Sequence, residues 1–286
     1  MSADGTTPHN RPPVTDWLTD WDHLDPRWTS DPVPIWDEIR KSECPVAHTD
    51  RFMGAYLPVR YKDIRDIAYD TEHFSSRNVL IRDNPPPVSG GGAPPITSDP
   101  PRHRPARMAL LPPFTPAEVE KLVPLTRSIC NELLDAIVGR ETCDAAVEYA
   151  QHIPVRVIAH MLGIPAEDGE QFRVWIHQIA EQGVTDAEVT DRAFAEMTEY
   201  FRGFLDKRRA APGDDLISYL TRQTYTDGSP FKDNHVLGSV RLLLVAGIDT
   251  TWSSIGSSLW HLSRTPADRD RLVREPQLIP TSVEEF

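Results

Sequence analysis

Apolar positions recur three and four residues apart over most of the chain, and that spacing predicts the elements. In PVPIWDEIRKSE (32–43), Val33, Ile35, Trp36 and Ile39 keep helical spacing after Asp31, a candidate cap. FMGAYLPVR (52–60) reads as short strands about a turn, and YKDIRDIAYD (61–70) as a short helix with Ile64, Ile67 and Ala68 on one face. Residues 76–98 hold Pro85–Pro87 and Gly90–Gly92 and read as a long loop, of a length usually functional or disordered. Beyond it nearly everything reads as helix. Residues 117–139 carry Leu122, Leu125, Ile129, Leu133 and Ile137 in register, with a bend expected at Pro124 and a stop at Gly139. Residues 147–165 predict a helix kinked at Pro154, and 166–182 and 186–210 two more about a break at Gly183. A short helix over 214–223 and an Asp227-Gly228 turn precede one long helix from Asp233 to Arg264, about 48 Å at the usual rise. The polar, proline-rich residues 1–30 read as an irregular arm and 31–286 as one domain. The expected class is mainly α with a small β element.

Composition narrows the function. A formal net charge of −13 over 286 residues argues against a nucleic-acid binder, which needs a basic face. Lys207, Arg208 and Arg209 read as a solvated helix end. Three cysteines, Cys44, Cys130 and Cys143, have no metal-ligand spacing and read as structural thiols in a reducing compartment. The N-terminus lacks a secretory pattern, and no apolar run approaches the ~20 residues that span a bilayer. A cytoplasmic protein without a membrane segment is expected.

The long helix contains an anomaly, LLLVAGIDTTWSS (242–254). Helix interiors disfavour Gly and only tolerate Asp and Thr, and a helix crossing a domain should be apolar on every face. Leu243, Gly247, Thr250 and Ser254 share one face, which runs large, absent, hydroxyl, hydroxyl. Gly247 leaves a groove in which a flat group can approach the backbone, with the Thr250 hydroxyl at its edge and the Asp249 carboxylate beside it. The Thr250 hydroxyl is also within reach of the Ala246 carbonyl at i−4. A second segment, SDPPRHRPARM (98–108), predicts a helix capped by Ser98 or Asp99 with Pro100 in its first turn. His103 and Arg107 then share a face that suits an anion, with Pro105 expected to distort the turn between them.

Taken together, AGIDTT (246–251), SDPPRHRPARM (98–108) and SVEEF (282–286) resemble, in order and separation, three motifs of the cytochromes P-450, the heme-thiolate monooxygenases. The style is that of soluble bacterial members. The resemblance implies heme b and insertion of one oxygen atom from O2 into a small hydrophobic substrate. Electrons would come from NAD(P)H through a ferredoxin and reductase, separate or fused. By the same resemblance, Thr250 and Asp249 serve catalysis through proton delivery, Ala246 and Gly247 form the groove over the heme, and His103 and Arg107 pair with its propionates. Arg102 and Arg104 would meet an acidic ferredoxin, or else are solvated surface. Substrate contacts are expected from 76–98, the break near 180–190, and Val240–Val245. Glu285 would open the family's Glu-x-x-Arg motif. Its arginine and the iron-ligating cysteine loop do not occur by Phe286, so no metal ligand is assigned. The expectation is a C-terminally truncated member, inactive and poorly stable alone. The rival is a non-catalytic helical ligand-binding or scaffold remnant without heme.

Overall fold

The structure, a computed structural model, describes residues 11–79, 81, 83, 92–184 and 186–286. The N-terminal part is built on tryptophan. Asp25 caps a one-turn helix α1 (Pro26–Ser30), and α2 (Val33–Lys41) follows. The cap position is Pro32 rather than the expected Asp31, whose carboxylate, one residue earlier, accepts from Val33 N at 3.2 Å. β1 (Val46–Thr49) and β2 (Ala55–Pro58) form an antiparallel hairpin, with Val46 opposite Pro58 and Thr49 opposite Ala55. The hairpin thus begins before the segment read as strand, and its turn passes through Phe52 and Met53, both at positive φ. Val14, Trp17 and Trp21 bury themselves with Ile35, Ile39, Ala47, Phe52 and Val59 in one cluster. Beneath it, Asp22 is 1% exposed and accepts from Arg51 at 2.7 Å and from Arg11 at 3.1 Å. Burial pushes the Asp22 carboxyl up, but the Leu24 N–H and the two guanidiniums outweigh it and hold it below the usual carboxylate range.

Helix α3 (Tyr61–Tyr69) buries no residue. The helix expected from Ser98 starts later, as α4 (His103–Leu110). Two facts explain the shift. Pro101 bars Pro100 from the helical region, and the Asp99 carboxylate is committed elsewhere, to Ser75 Oγ at 2.6 Å and Ser76 N at 2.8 Å. Pro105 therefore falls in the first turn, where a missing N–H costs nothing, and the helix continues through it. The helix predicted over 117–139 is two, α5 (Pro116–Glu120) and α6 (Val123–Ile137), because Pro124 lacks the N–H for Glu120 and its ring crowds that carbonyl. Before α7 (His152–Leu162) lies a π-helical turn, Ala146–Ala150, in which Gln151 N reaches Ala146 O at 3.1 Å. Gly163 ends α7 at φ +67.

The remaining helices are α8 (Gly169–Ala180), α9 (Ala187–Ala210), α10 (Leu216–Thr221), α11 (Asp233–Arg264), α12 (Pro266–Arg274) and α13 (Ile279–Glu285). The main core gathers α7, α8, α9 and α10 around the first half of α11, whose Val236, Leu237, Val240, Leu244 and Ile248 are all buried. Ala109 and Leu110 bring α4 onto the same cluster. Apolar cover does not extend along the whole of α11: past Ile248 no residue of the helix is buried, and Trp260 is 66% exposed.

The basic end of α9 is a solvated cluster only in part: Lys207 is exposed, but the two arginines beside it are bonded. Arg208 bonds Asp215 and the Gly163 carbonyl, and Arg209 bonds the Thr221 and Phe231 carbonyls and Asp233. A guanidinium carries several donors in a fixed fork, which lets two arginines tie α9 to the ends of α7, α10 and α11.

Asp22→Asn breaks the ion pairs under the tryptophan cluster and lowers stability by about 3 kcal/mol in denaturant unfolding followed by tryptophan fluorescence. Because the folded Asp22 pKa is depressed, its contribution is present above the unfolded value near ~4 and is lost as pH falls through the folded value. His235, packed between Phe231 at 4.1 Å and Tyr225 at 5.3 Å, is pushed down to about 4 by burial. The unfolded chain takes up that proton first, so stability drops as pH falls from about 6.5 toward 4. His235→Phe flattens the Tm profile across that window; a profile as steep as wild type's refutes the assignment.

Candidate functional site on the central helix

The residues that break the apolar pattern sit where α11 leaves the core. Leu244 and Ile248 are buried, and on the other side of the helix Ala246, Gly247, Thr250 and Thr251 are exposed, with Asp249 half-buried. A Cβ added at Gly247 meets no atom within 4 Å, so the groove faces open space. The helix is unbroken there, and Thr250 Oγ1 donates to the Ala246 carbonyl at 2.7 Å. The hydroxyl proton is thereby occupied, and the oxygen's lone pairs are left to accept. A flat group laid on this face meets small side chains, one hydroxyl and a nearby carboxylate.

The second set lies on α4. His103 and Arg107 are exposed one turn apart, and neither forms an ion pair among the described residues. Ala106, Ala109 and Leu110 seat the opposite side of that helix. The structure therefore packs the cation-bearing and the glycine–threonine helices on one core, with no direct bond between the two sets among the described residues. The exposed donors match the carboxylates of a porphyrin, and the uncovered Gly247 face matches its plane. On these observations the residues fit a heme. Among the described residues no cluster of three metal-ligating side chains occurs. Cys44 and Cys143 are exposed, while Cys130 packs on the Ile129–Leu133–Ile153 cluster. Burial pushes the nearby Tyr149 hydroxyl up to about 12, with the Cys130 thiol adding to the shift.

The expected substrate-contacting segments are only partly available. Val240 and Leu244 belong to the core, leaving Leu242, Leu243 and Val245 half-buried. Residues 80, 82, 84–91 and 185 lie outside the described residues. A cavity of about 660 Å³ opens elsewhere, among Trp260, His261, Asp268, Arg271, Ser282 and Phe286, and includes none of the six candidate residues. Sequence reasoning passed over Arg241, Ser239 and Thr198. The available signal was a lone charge inside GSVRLLLV (238–245). No helix among the described residues is long and apolar enough to cross a membrane.

Comparison with known proteins gives these sites a context. No protein-family profile matches the chain. Among curated proteins, it is 32% identical to a mycinamicin IV hydroxylase/epoxidase of Micromonospora griseorubida, over 81% of this chain and 58% of the relative. It is 29% identical to the putative cytochrome P450 YjiB of Bacillus subtilis, over 89% of this chain and 64% of the relative. The chain thus spans less than two thirds of the length of these curated relatives. Among solved structures, it matches cytochrome P450 CYP109Q5 from Chondromyces apiculatus with a TM-score of 0.78 and 30% identity, covering 94% of this chain and 68% of that one. It matches the Bacillus subtilis bacillaene polyketide synthase cytochrome P450 PksS with a TM-score of 0.77 and 27% identity, covering 93% and 68%. With an open glycine–threonine groove on its long helix and these relatives along most of its length, the chain belongs to the cytochrome P450 family.

Proposed function

We propose that this chain carries the oxygen-side half of a heme monooxygenase acting on a small hydrophobic molecule. The observation that carries the reading is the open face at Gly247 with the Thr250 hydroxyl one turn on. When bound, heme supplies reductive activation of O2 and insertion of one oxygen atom into an unactivated substrate. The balance is substrate, O2, two electrons and two protons giving hydroxylated product and water. The electrons come from NAD(P)H through a ferredoxin and reductase, and the cytoplasm is the compartment that fits this supply.

The chain's own residues do the rest. His103 and Arg107 would donate to the propionates. Ala246 and Gly247 would keep bulky side chains off the face of α11 that a flat cofactor needs. Thr250 accepts a hydrogen bond from an ordered water in the groove, and breaking its bond to the Ala246 carbonyl frees its own proton for donation. Asp249, half-exposed beside it, exchanges protons with solvent and resupplies that water, a general-acid role at one remove. The half-buried Leu242, Leu243 and Val245 offer apolar contacts, which suits a hydrophobic substrate. We assign no iron ligand to Cys44, Cys130 or Cys143.

Two outcomes test this reading. Arg107→Ala weakens heme binding about three- to tenfold in a Soret titration, the range for an exposed charge-assisted bond; unchanged affinity counts against the propionate role. In a heme-loaded protein of the relatives' full length, Thr250→Ala raises hydrogen peroxide released per NAD(P)H consumed severalfold and lowers product to match. Normal coupling in that variant refutes the proton-delivery role.

A further inference from the structure

Two turns before the glycine–threonine groove, α11 grips a distant piece of chain. Arg241 Nη2 donates to the Gly92 carbonyl at 3.0 Å, and Arg241 Nη1 donates to Thr198 Oγ1 of α9 at 2.6 Å. Thr198 in turn gives its proton to the Phe194 carbonyl at 2.6 Å, which leaves its lone pairs for the guanidinium. Ser239, 1% exposed, donates to the Pro94 carbonyl at 3.3 Å. At Gly238 an added Cβ would stand 2.5 Å from the Gly92 carbonyl oxygen and 2.8 Å from Pro94 Cδ, so only glycine allows this approach.

The gripped segment is compact. Ala93 N donates to Thr97 Oγ1 at 2.8 Å, Thr97 N to Ala93 O at 3.2 Å, and Pro94 and Pro95 are buried. Two residues on, Asp99 holds Ser75 and Ser76 through its side chain, and its carbonyl accepts from Arg102 N and His103 N. His103 is the first residue of α4. The chain from Gly92 to the α4 cations is therefore short and bonded at both ends.

Arg241 is an unusual residue for this task. Among the described residues it has no carboxylate partner, and burial lowers its pKa. A charge held by one hydroxyl and one carbonyl satisfies only part of its donor set, and a core helix without a task for it is better served by an apolar side chain.

We propose that Arg241 is a positioning residue: with Gly238 and Ser239 it locks the 92–97 turn onto α11, its second arm held by Thr198 of α9, and so sets the stance of the helix that presents His103 and Arg107. The helix that carries the groove thereby also fixes where the cations stand. This rests on the heme reading above only for what the cations hold; the lock itself is a property of the chain alone.

The test separates the two. Amide hydrogen exchange is followed on the heme-free chain for Arg241→Met and for Thr198→Val, with circular dichroism to verify helix content. The expected result is exchange about tenfold faster at 92–103 in both variants, with α7, α8 and α10 unchanged. Arg241→Lys, which keeps the charge but lacks the two-armed fork, falls between wild type and Arg241→Met. Exchange at 92–103 equal to wild type, or accelerated equally throughout the core, overturns the proposal. Soret titration then reads the consequence. Arg241→Met weakens heme binding, and adding it to Arg107→Ala costs less than the product of the two single effects, because both act through α4; independent, fully multiplicative effects overturn the positioning role. If Arg107→Ala alone leaves heme affinity unchanged while exchange at 92–103 accelerates, the propionate reading fails and the lock stands.

Discussion

Burial of one side and one half of α11 is the constraint on which the rest depends. Val236, Leu237, Val240, Leu244 and Ile248 anchor the helix in a ring of four others, each large side chain contributing about 1.5–3 kcal/mol. That burial makes the rest of the helix usable. Held rigidly for its first four turns, it can present Ala246, Gly247 and Thr250 on an uncovered side without losing helicity. A glycine in mid-helix costs about 1 kcal/mol against alanine, small beside what the anchoring residues supply.

Much of this was legible in the chain because helix periodicity is a local property. Asp233–Arg264 was readable to its ends, since a long apolar run at helical spacing needs no knowledge of the partners. Gly228 was readable as part of a turn for the same reason, and it adopts positive φ. The errors came where a distant group claimed a local signal. Asp99 has the look of a cap, yet Ser75 and Ser76 take its carboxylate. Arg208 and Arg209 have the look of a solvated helix end, yet carbonyls on three other elements take their donors. At the site, the glycine and threonine stood out because they violate the pattern of their own helix. Arg241 bonds Gly92, 149 positions away, and Thr198, 43 away, and no local window of sequence contains these partners.

Arginine recurs at several junctions of the fold: Arg51 under the tryptophans, Arg208 and Arg209 at the end of α9, Arg241 on the central helix. Each bonds at least two acceptors on different segments. A lysine is a single point charge and cannot span such pairs. Loops that end in carbonyls rather than side chains are secured in this way, which lets connecting sequences vary so long as a backbone oxygen arrives in place.

Gly238 and Gly247 lie nine residues apart on α11 and are glycines for opposite reasons. The first is required by crowding, with a carbonyl 2.5 Å from where a Cβ would stand; the second faces emptiness. Evolutionary drift should treat them differently. In a lineage that had ceased to bind a ligand on this face, folding would continue to enforce the first glycine while the second would be free to become alanine or serine, which helices favour. The pair thus forms an internal record of selection, one position reporting whether the chain still folds this way and the other whether it still has something to hold.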